Sequence, residues 1–255
     1  MQNQQPSTLK EIRVHGTQDF PCAFYQTGTR IKGNMVKHHW HEEVELLYFS
    51  GGEFCLEINM ERFEISEECF YFINPGELHS ISVEKNGGCV ENAVVFHMDM
   101  LSSAYALDQI QTNLIQPVQN GSIQFPRCLR KNEPAFEPVR KSYEEIRNVF
   151  GGDSFRENYY DGEAVTDDIT RQLFIKSALL RILAVLSANN LFEVTEKNHD
   201  HRIETIKTTL TYIQENYKEK IYIRDLAGLI GMNEQYFCRS VSYTHLRAHE
   251  TDSYL

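Results

Sequence analysis

The sequence predicts an α+β chain: an N-terminal all-β barrel or sandwich, then helices, then a small all-α unit ending in a helix-turn-helix. Three observations carry this. Between Phe20 and Met98, short β-type segments recur at close intervals, separated by SGGE, NPGE and KNGG turns with no helix between them. After about Asp99 the period changes to a helical one. Near the end, IYIRDLAGLIGMNEQYFCRS reads as two short helices around a glycine. The chain has 255 residues, 41% of them apolar and 24% charged, which is globular composition and excludes disordered, collagen-like and disulfide-scaffold classes.

The β segments are CAFYQT, EVELLYF, EFCLEI, RFEI, CFYFI, ISV and CVENAVVFHM, and they place an all-β unit within residues 1–103. Residues 104–192 hold a polar, proline-punctuated wrap to about 133, a helix at Phe136 to Phe150 stopped by Gly151-Gly152, and a longer helix from about Glu163 to Leu191. On the long helix, Val165, Ile169, Leu173, Leu180 and Leu183 form one stripe, widened by Phe174, Ala178, Ile182 and Val185. This face is broader than docking on one partner requires, so it fits either a sandwiched helix or a dimer contact. Residues 193–201 read as a polar linker, and residues 202–255 as the DNA-binding unit.

In that last unit, Ile203, Ile206, Leu210, Ile213 and Tyr217 fall on one helical face. Ile223, Leu226, Ala227 and Ile230 form the apolar face of a second helix, Gly231 permits a sharp turn, Asn233 caps a third helix and Phe237 points inward from it.

Net charge is −11, so any attraction for phosphate must come from a local surface. The six cysteines show no C-x-x-C spacing and read as reduced, mostly buried thiols. No apolar stretch is long enough for a membrane helix, and the polar N-terminus lacks a signal-peptide core, so a cytoplasmic protein without membrane contact is expected.

The most specific segment runs from Gly33 through His39, Trp40, His41 and Glu45 to Gly52. On a strand, side chains two apart share a face, so His39, His41 and Glu45 can point together into a barrel, with His79 arriving from a later segment. Two imidazoles, a carboxylate and a third imidazole can ligate a divalent first-row metal, line a polar effector pocket beside Tyr48, or simply sit on the strand surface. Alternation turns Trp40 away from His39 and His41, and His38 reads as a surface residue.

These residues resemble the first cupin motif at every spaced position. The segment Asn74-Pro75-Gly76-Glu77-Leu78-His79 resembles the second in part: its proline stands one place late, an acidic residue replaces the upstream glycine, and Val83 replaces an asparagine. Together with the helix-turn-helix and the FHMDML and IQFPR segments, the order resembles the AraC/XylS regulators up to about Ser240. The resemblance implies a cupin-type double-stranded barrel that senses a small molecule, often a sugar, a homodimer, and promoter DNA read by helix-turn-helix units. It implies no obligatory cofactor and no catalysis, with a divalent metal at His39, His41, Glu45 and His79 left open. Effector contacts are expected from those four residues and Tyr48.

The second helix of a helix-turn-helix enters the major groove. Asn233, Glu234, Gln235, Tyr236 and Arg239 are therefore the expected DNA-binding residues; Gln235 suits adenine, and Arg239 suits guanine or phosphate. Beyond Ser240 the string Val241-SYTHLRAHETDSYL shows no apolar period and resembles translated adapter sequence. Residues 241–255 are read as a non-native tail, leaving the DNA-binding unit partial. The competing reading is a metal-dependent cupin enzyme, an isomerase or dioxygenase, which would have no need of the Ile223 to Ser240 segment.

Overall fold

Strand alternation explains why β3 (Val44–Phe49) is buried along its whole length. Val44, Leu46 and Tyr48 face one apolar cluster, and Leu47 and Phe49 face another, so the strand separates two cores. The structure, a computed structural model, describes residues 9–29, 31–85, 89–105, 107–151, 160–161, 168–195 and 201–239. It divides into two compact units: Glu11–Asn198, and Met1–Lys10 with His199–Leu255.

In the first unit, β1 (Cys22–Thr29), β2 (Gly33–His39), β3, β4 (Phe54–Ile58), β5 (Glu61–Ile65), β6 (Cys69–Ile73), β7 (His79–Val83) and β8 (Cys89–Phe96) build two antiparallel sheets. Further along the chain come β9 (Ile123–Gln124), β10 (Cys128–Arg130), β11 (Tyr160–Asp161) and β12 (Glu193–Val194). The larger sheet runs β10-β6-β3-β8-β1-β11 and the smaller β2-β7-β4-β5. Between them lies the inner core of Tyr25, Leu47, Phe49, Phe54, Leu56, Ile73, Ile81 and Val83, a cupin-type double-stranded arrangement.

The outer face of the larger sheet is covered by helices. Phe24, Leu46, Tyr48, Phe70 and Phe72 pack with Phe136, Val139, Tyr143 and Ile146 of the helix Phe136–Val149. Ile175, Ala178, Leu179, Ile182, Leu183 and Leu186 of the helix Ile169–Ala188 complete that core. Asp168 caps this second helix by accepting from the Thr170 and Arg171 amides.

Several sequence expectations change. The segment Gly33–His39 is a strand of its own, although its apolar content is too low to mark it. The wrap is not irregular throughout: it contains a π-helical turn Gln111–Ile115 running into a short α-helix Gln116–Gln119, followed by β9 and β10. Glu193–Val194, read as linker, pairs with Ile123–Gln124. On Ile169–Ala188 the expected stripe splits. Ala178, Ile182 and Leu183 are buried, whereas Ile169, Leu173, Phe174 and Leu180 are exposed. Val165 lies outside the described residues.

The second unit contains helices His201–Asn216 and Ile223–Leu229, and residues 234–239 are also helical. Leu226, Ala227 and Phe237 share one buried core, flanked by Tyr212, Ile213, Ile221 and Ile230. Gly231, at φ +65°, ends the middle helix as a left-handed cap: its amide donates to the Gly228 carbonyl, and that of Met232 to the Ala227 carbonyl at 2.9 Å. Ile223 and Tyr217, expected on the apolar face, are exposed. The tail at 241–255 lies outside the described residues.

Candidate functional site

The histidine cluster forms where the chain crosses from the small sheet to the large one. His39 ends β2, His41 lies in the connecting turn and Glu45 is on β3, so the three are not neighbours along one strand as alternation had suggested. Two register irregularities in β2, between Asn34 and Val36 and between Val36 and His39, set His39 directly opposite His79 on β7. Bulges of this kind re-aim side chains, and the His39 and His79 ring centres lie 4.2 Å apart.

Each imidazole is oriented by the main chain. The His39 Nδ1 lies 2.9 Å from the Lys37 carbonyl, the His41 Nδ1 3.1 Å from that of Glu43, and the His79 Nδ1 2.9 Å from that of Glu77. A carbonyl can only accept, so each Nδ1 carries a proton, and in a neutral ring the Nε2 is then a lone-pair donor. One ring nitrogen from each imidazole and a Glu45 carboxylate oxygen converge within 4.8 Å of one another. Glu45 Oε2 is 3.3 Å from His41 Nε2 and 2.9 Å from His79 Nε2. The latter approach is not aligned as a hydrogen bond, and the buried His79 Nε2 has no hydrogen-bond partner.

Three lone pairs facing a carboxylate repel one another unless positive charge lies among them. Burial depresses the basicity of His41, but the hydrogen bond and charge of Glu45 more than offset it and hold its pKa above the usual histidine value. Burial likewise works against ionisation of Glu45, yet His41 and His79 keep its pKa well below the carboxylate range. His39, desolvated and beside His79, is pushed down to about 4 and is neutral. A divalent metal meets the same need with all three imidazoles neutral. Bonds of 2.0–2.2 Å give ligand-to-ligand edges of about 2.8–3.6 Å, and the spacings around Glu45 fall in that range. The donor set therefore fits a first-row metal, and the carbonyl contacts are the outer-layer supports such ligands use.

A half-buried ion pair shapes the His79 turn. Arg127, in the IQFPR segment, donates to both Glu77 carboxylate oxygens at 2.5 and 2.7 Å, and the Asn74 amide donates to Glu77 Oε2 at 2.8 Å. The Glu77 carbonyl is the one that orients His79.

Of the five residues expected to meet an effector, His39, His41, Glu45 and His79 come together and Tyr48 does not. It points to the opposite face of β3, where its ring packs on Phe70 and Tyr143 and its hydroxyl donates to Glu68 at 2.6 Å. The parity of β3 decides this, because Tyr48 is an odd number of residues from Glu45. His38 is on the surface, against Glu57. Sequence reasoning missed Glu11 and His15, which approach His39 and His41 from the N-terminal segment, and Glu91, which shares the inward register of Phe49 on β8. Burial, with Glu45 nearby, raises the Glu91 pKa well above the usual carboxylate range. No spacing pattern announces these three.

In the second unit, Asn233, Glu234, Gln235, Tyr236 and Arg239 are all exposed, while Phe237 on the same helix is buried. The Asn233 side chain accepts from the Tyr236 amide at 2.8 Å, which makes it a cap.

The fold and site thus define a two-sheet cupin barrel carrying a buried histidine–carboxylate cluster, and a second unit of short helices around a common apolar core. The AraC-like ligand binding domain family matches residues 27–147. The HTH-type transcriptional regulator YdeC of Bacillus subtilis (strain 168) is 27% identical over 251 residues, covering 94% of this chain and 78% of that protein. Residues 27–147 thus match an AraC-like ligand binding domain on a cupin fold, and the chain is similar over nearly its whole length to an HTH-type transcriptional regulator, which favours the regulator over the enzyme reading. Among solved structures, apo ToxT of Vibrio cholerae aligns over 91% of this chain and 77% of its own, with 10% identity and a TM-score of 0.40. A predicted oxalate decarboxylase of Thermotoga maritima aligns over 29% and 67%, with 26% identity and a TM-score of 0.28.

Proposed function

We propose that this regulator reads a small oxygen-rich effector, a carbohydrate or similar polyol, at a divalent metal held by His39, His41, Glu45 and His79. The observation that carries the reading is the convergence of three imidazoles, each with its Nδ1 tied to a backbone carbonyl, on one buried carboxylate. A bare sugar needs both donors and acceptors from its pocket, and this cluster offers chiefly acceptors. When bound, the metal supplies a Lewis-acidic contact for effector oxygens.

The output is promoter DNA in the cytoplasm. Glu234, Gln235, Tyr236 and Arg239 present an exposed face for the major groove, with Asn233 setting the start of the helix. The exposed Ile169, Leu173, Phe174 and Leu180 form an apolar face that supports a homodimer contact. Effector occupancy then biases which arrangement of DNA-binding units is populated.

The test is DNA binding to the gene's own upstream region across a salt series, with metal-loaded and chelator-treated protein, alongside elemental analysis. Near-stoichiometric first-row metal and a DNA affinity that shifts on chelation are expected. Protein that takes up no metal, or binds DNA identically in both states, refutes the proposal.

A further inference from the structure

The cluster does not end at its four central residues. Glu11, His15 and His41 form a second, overlapping group of donor atoms within 4.8 Å of one another. Glu11 Oε2 lies 3.4 Å from His39 Nε2 and 3.4 Å from His15 Nε2. The distance to His39 is an edge length of a coordination polyhedron, as are those around Glu45. The His15 Nε2 is buried and lacks a hydrogen-bond partner, a cost that a polar group normally avoids. Three contacts place the short segment bearing these residues. The Glu11 amide donates to the Trp40 carbonyl at 2.9 Å, the His15 Nδ1 is 2.8 Å from the Tyr25 hydroxyl, and the Arg13 guanidinium lies over the Tyr25 ring.

We infer that Glu11 is an additional carboxylate ligand of the barrel cation, so that loading the site pins the N-terminal segment across its mouth. The inference rests on the metal reading above. The segment brings negative charge to the one side of the cluster where His39 is still partly open, with a side chain 21% exposed against 1% for His79 and 3% for His41. A carboxylate there balances charge that three neutral imidazoles and one carboxylate leave on a divalent ion. His15 has the role of a positioning residue: held by Tyr25, it keeps Glu11 turned toward His39.

The probe is cobalt(II), titrated into metal-free full-length protein and followed by its visible absorption bands. Trypsin cleavage after Lys10 and Arg13 is followed in parallel. Wild-type protein is expected to take up one cobalt and to become protected at Lys10 and Arg13 on loading. Glu11→Gln is expected to bind cobalt about tenfold or more weakly, with an altered band pattern and no gain in protection. Glu11→Ala repeats the test without a residual amide, and circular dichroism confirms that both variants fold. If wild type takes up no cobalt, the metal reading fails and this inference fails with it. If wild type takes it up but the variants match it in affinity, spectrum and protection, only the role of Glu11 is overturned.

Discussion

Phe237→Ala separates the two units energetically. Phe237 is 8% exposed and closes a core whose other fully buried members are Leu226 and Ala227. Removing a ring that hides roughly 180 Å² of apolar surface forfeits about 4.5 kcal/mol at 25 cal/mol per Å², within the range of about 3–5 kcal/mol for such deletions. A helical unit of this size has a total stability of roughly 2–6 kcal/mol by the usual per-residue figure. The substitution should therefore unfold much of residues 201–239. The barrel should be indifferent, because neither of its clusters contains a residue of this core. Hydrogen exchange read by mass spectrometry checks this: peptides from 201–239 should lose protection while those from β3, β6 and β8 keep theirs. Unchanged protection in 201–239 would show that Phe237 does not hold the helices together. Simultaneous loss in β3 and β8 would show that the two units do not fold separately.

Three further outcomes are expected. Glu91 has a raised pKa in the folded protein, so its contribution to stability is fully present below its unfolded pKa and is lost as pH rises through the folded value. Glu91→Met should therefore gain on wild type from about pH 4 upward, reaching roughly 1–3 kcal/mol near neutrality; parallel urea-denaturation midpoints at pH 4, 6 and 8 would contradict this. If the exposed face of the helix Ile169–Ala188 is a dimer contact, Leu173→Glu combined with Leu180→Glu should lower the sedimentation coefficient to that of a monomer, since both side chains are exposed; a wild-type chain already monomeric, or an unchanged coefficient, would refute that role for the face. Arg239→Ala should weaken DNA binding evenly across sequences and lower the salt slope by about one, whereas Gln235→Ala should relax discrimination at one base pair by about 1–3 kcal/mol; the reverse pattern would exchange their roles.

Much of this was legible in the residues. The short strands, the glycine turns and the helical core of Leu226, Ala227 and Phe237 follow from local period and turn chemistry, which act within a few residues. The spacing from Gly33 to Gly52 marked His39, His41 and Glu45 as a group. Their route to one another was not legible. Alternation implied a shared strand, whereas the structure uses two bulges, a turn and a change of sheet, features set by pairing with β7. Tyr48 was misplaced for the same reason: a strand buried on both faces gives no hydropathy signal for which parity is inside. The split stripe on Ile169–Ala188 depended on where the Phe136–Val149 helix lies, and no sequence window contains that.

The amino-acid order by itself determined the element types, the presence of a histidine–carboxylate group and the identity of the residues facing outward on the last helix. Only the tertiary structure decided that Glu11, His15 and Glu91 belong near the site, and that three backbone carbonyls turn the imidazoles to a common centre. The reason is range. Propensity and periodicity report interactions between near neighbours, whereas the donor positions here are set by contacts between segments dozens of residues apart, through register and packing that no local pattern records.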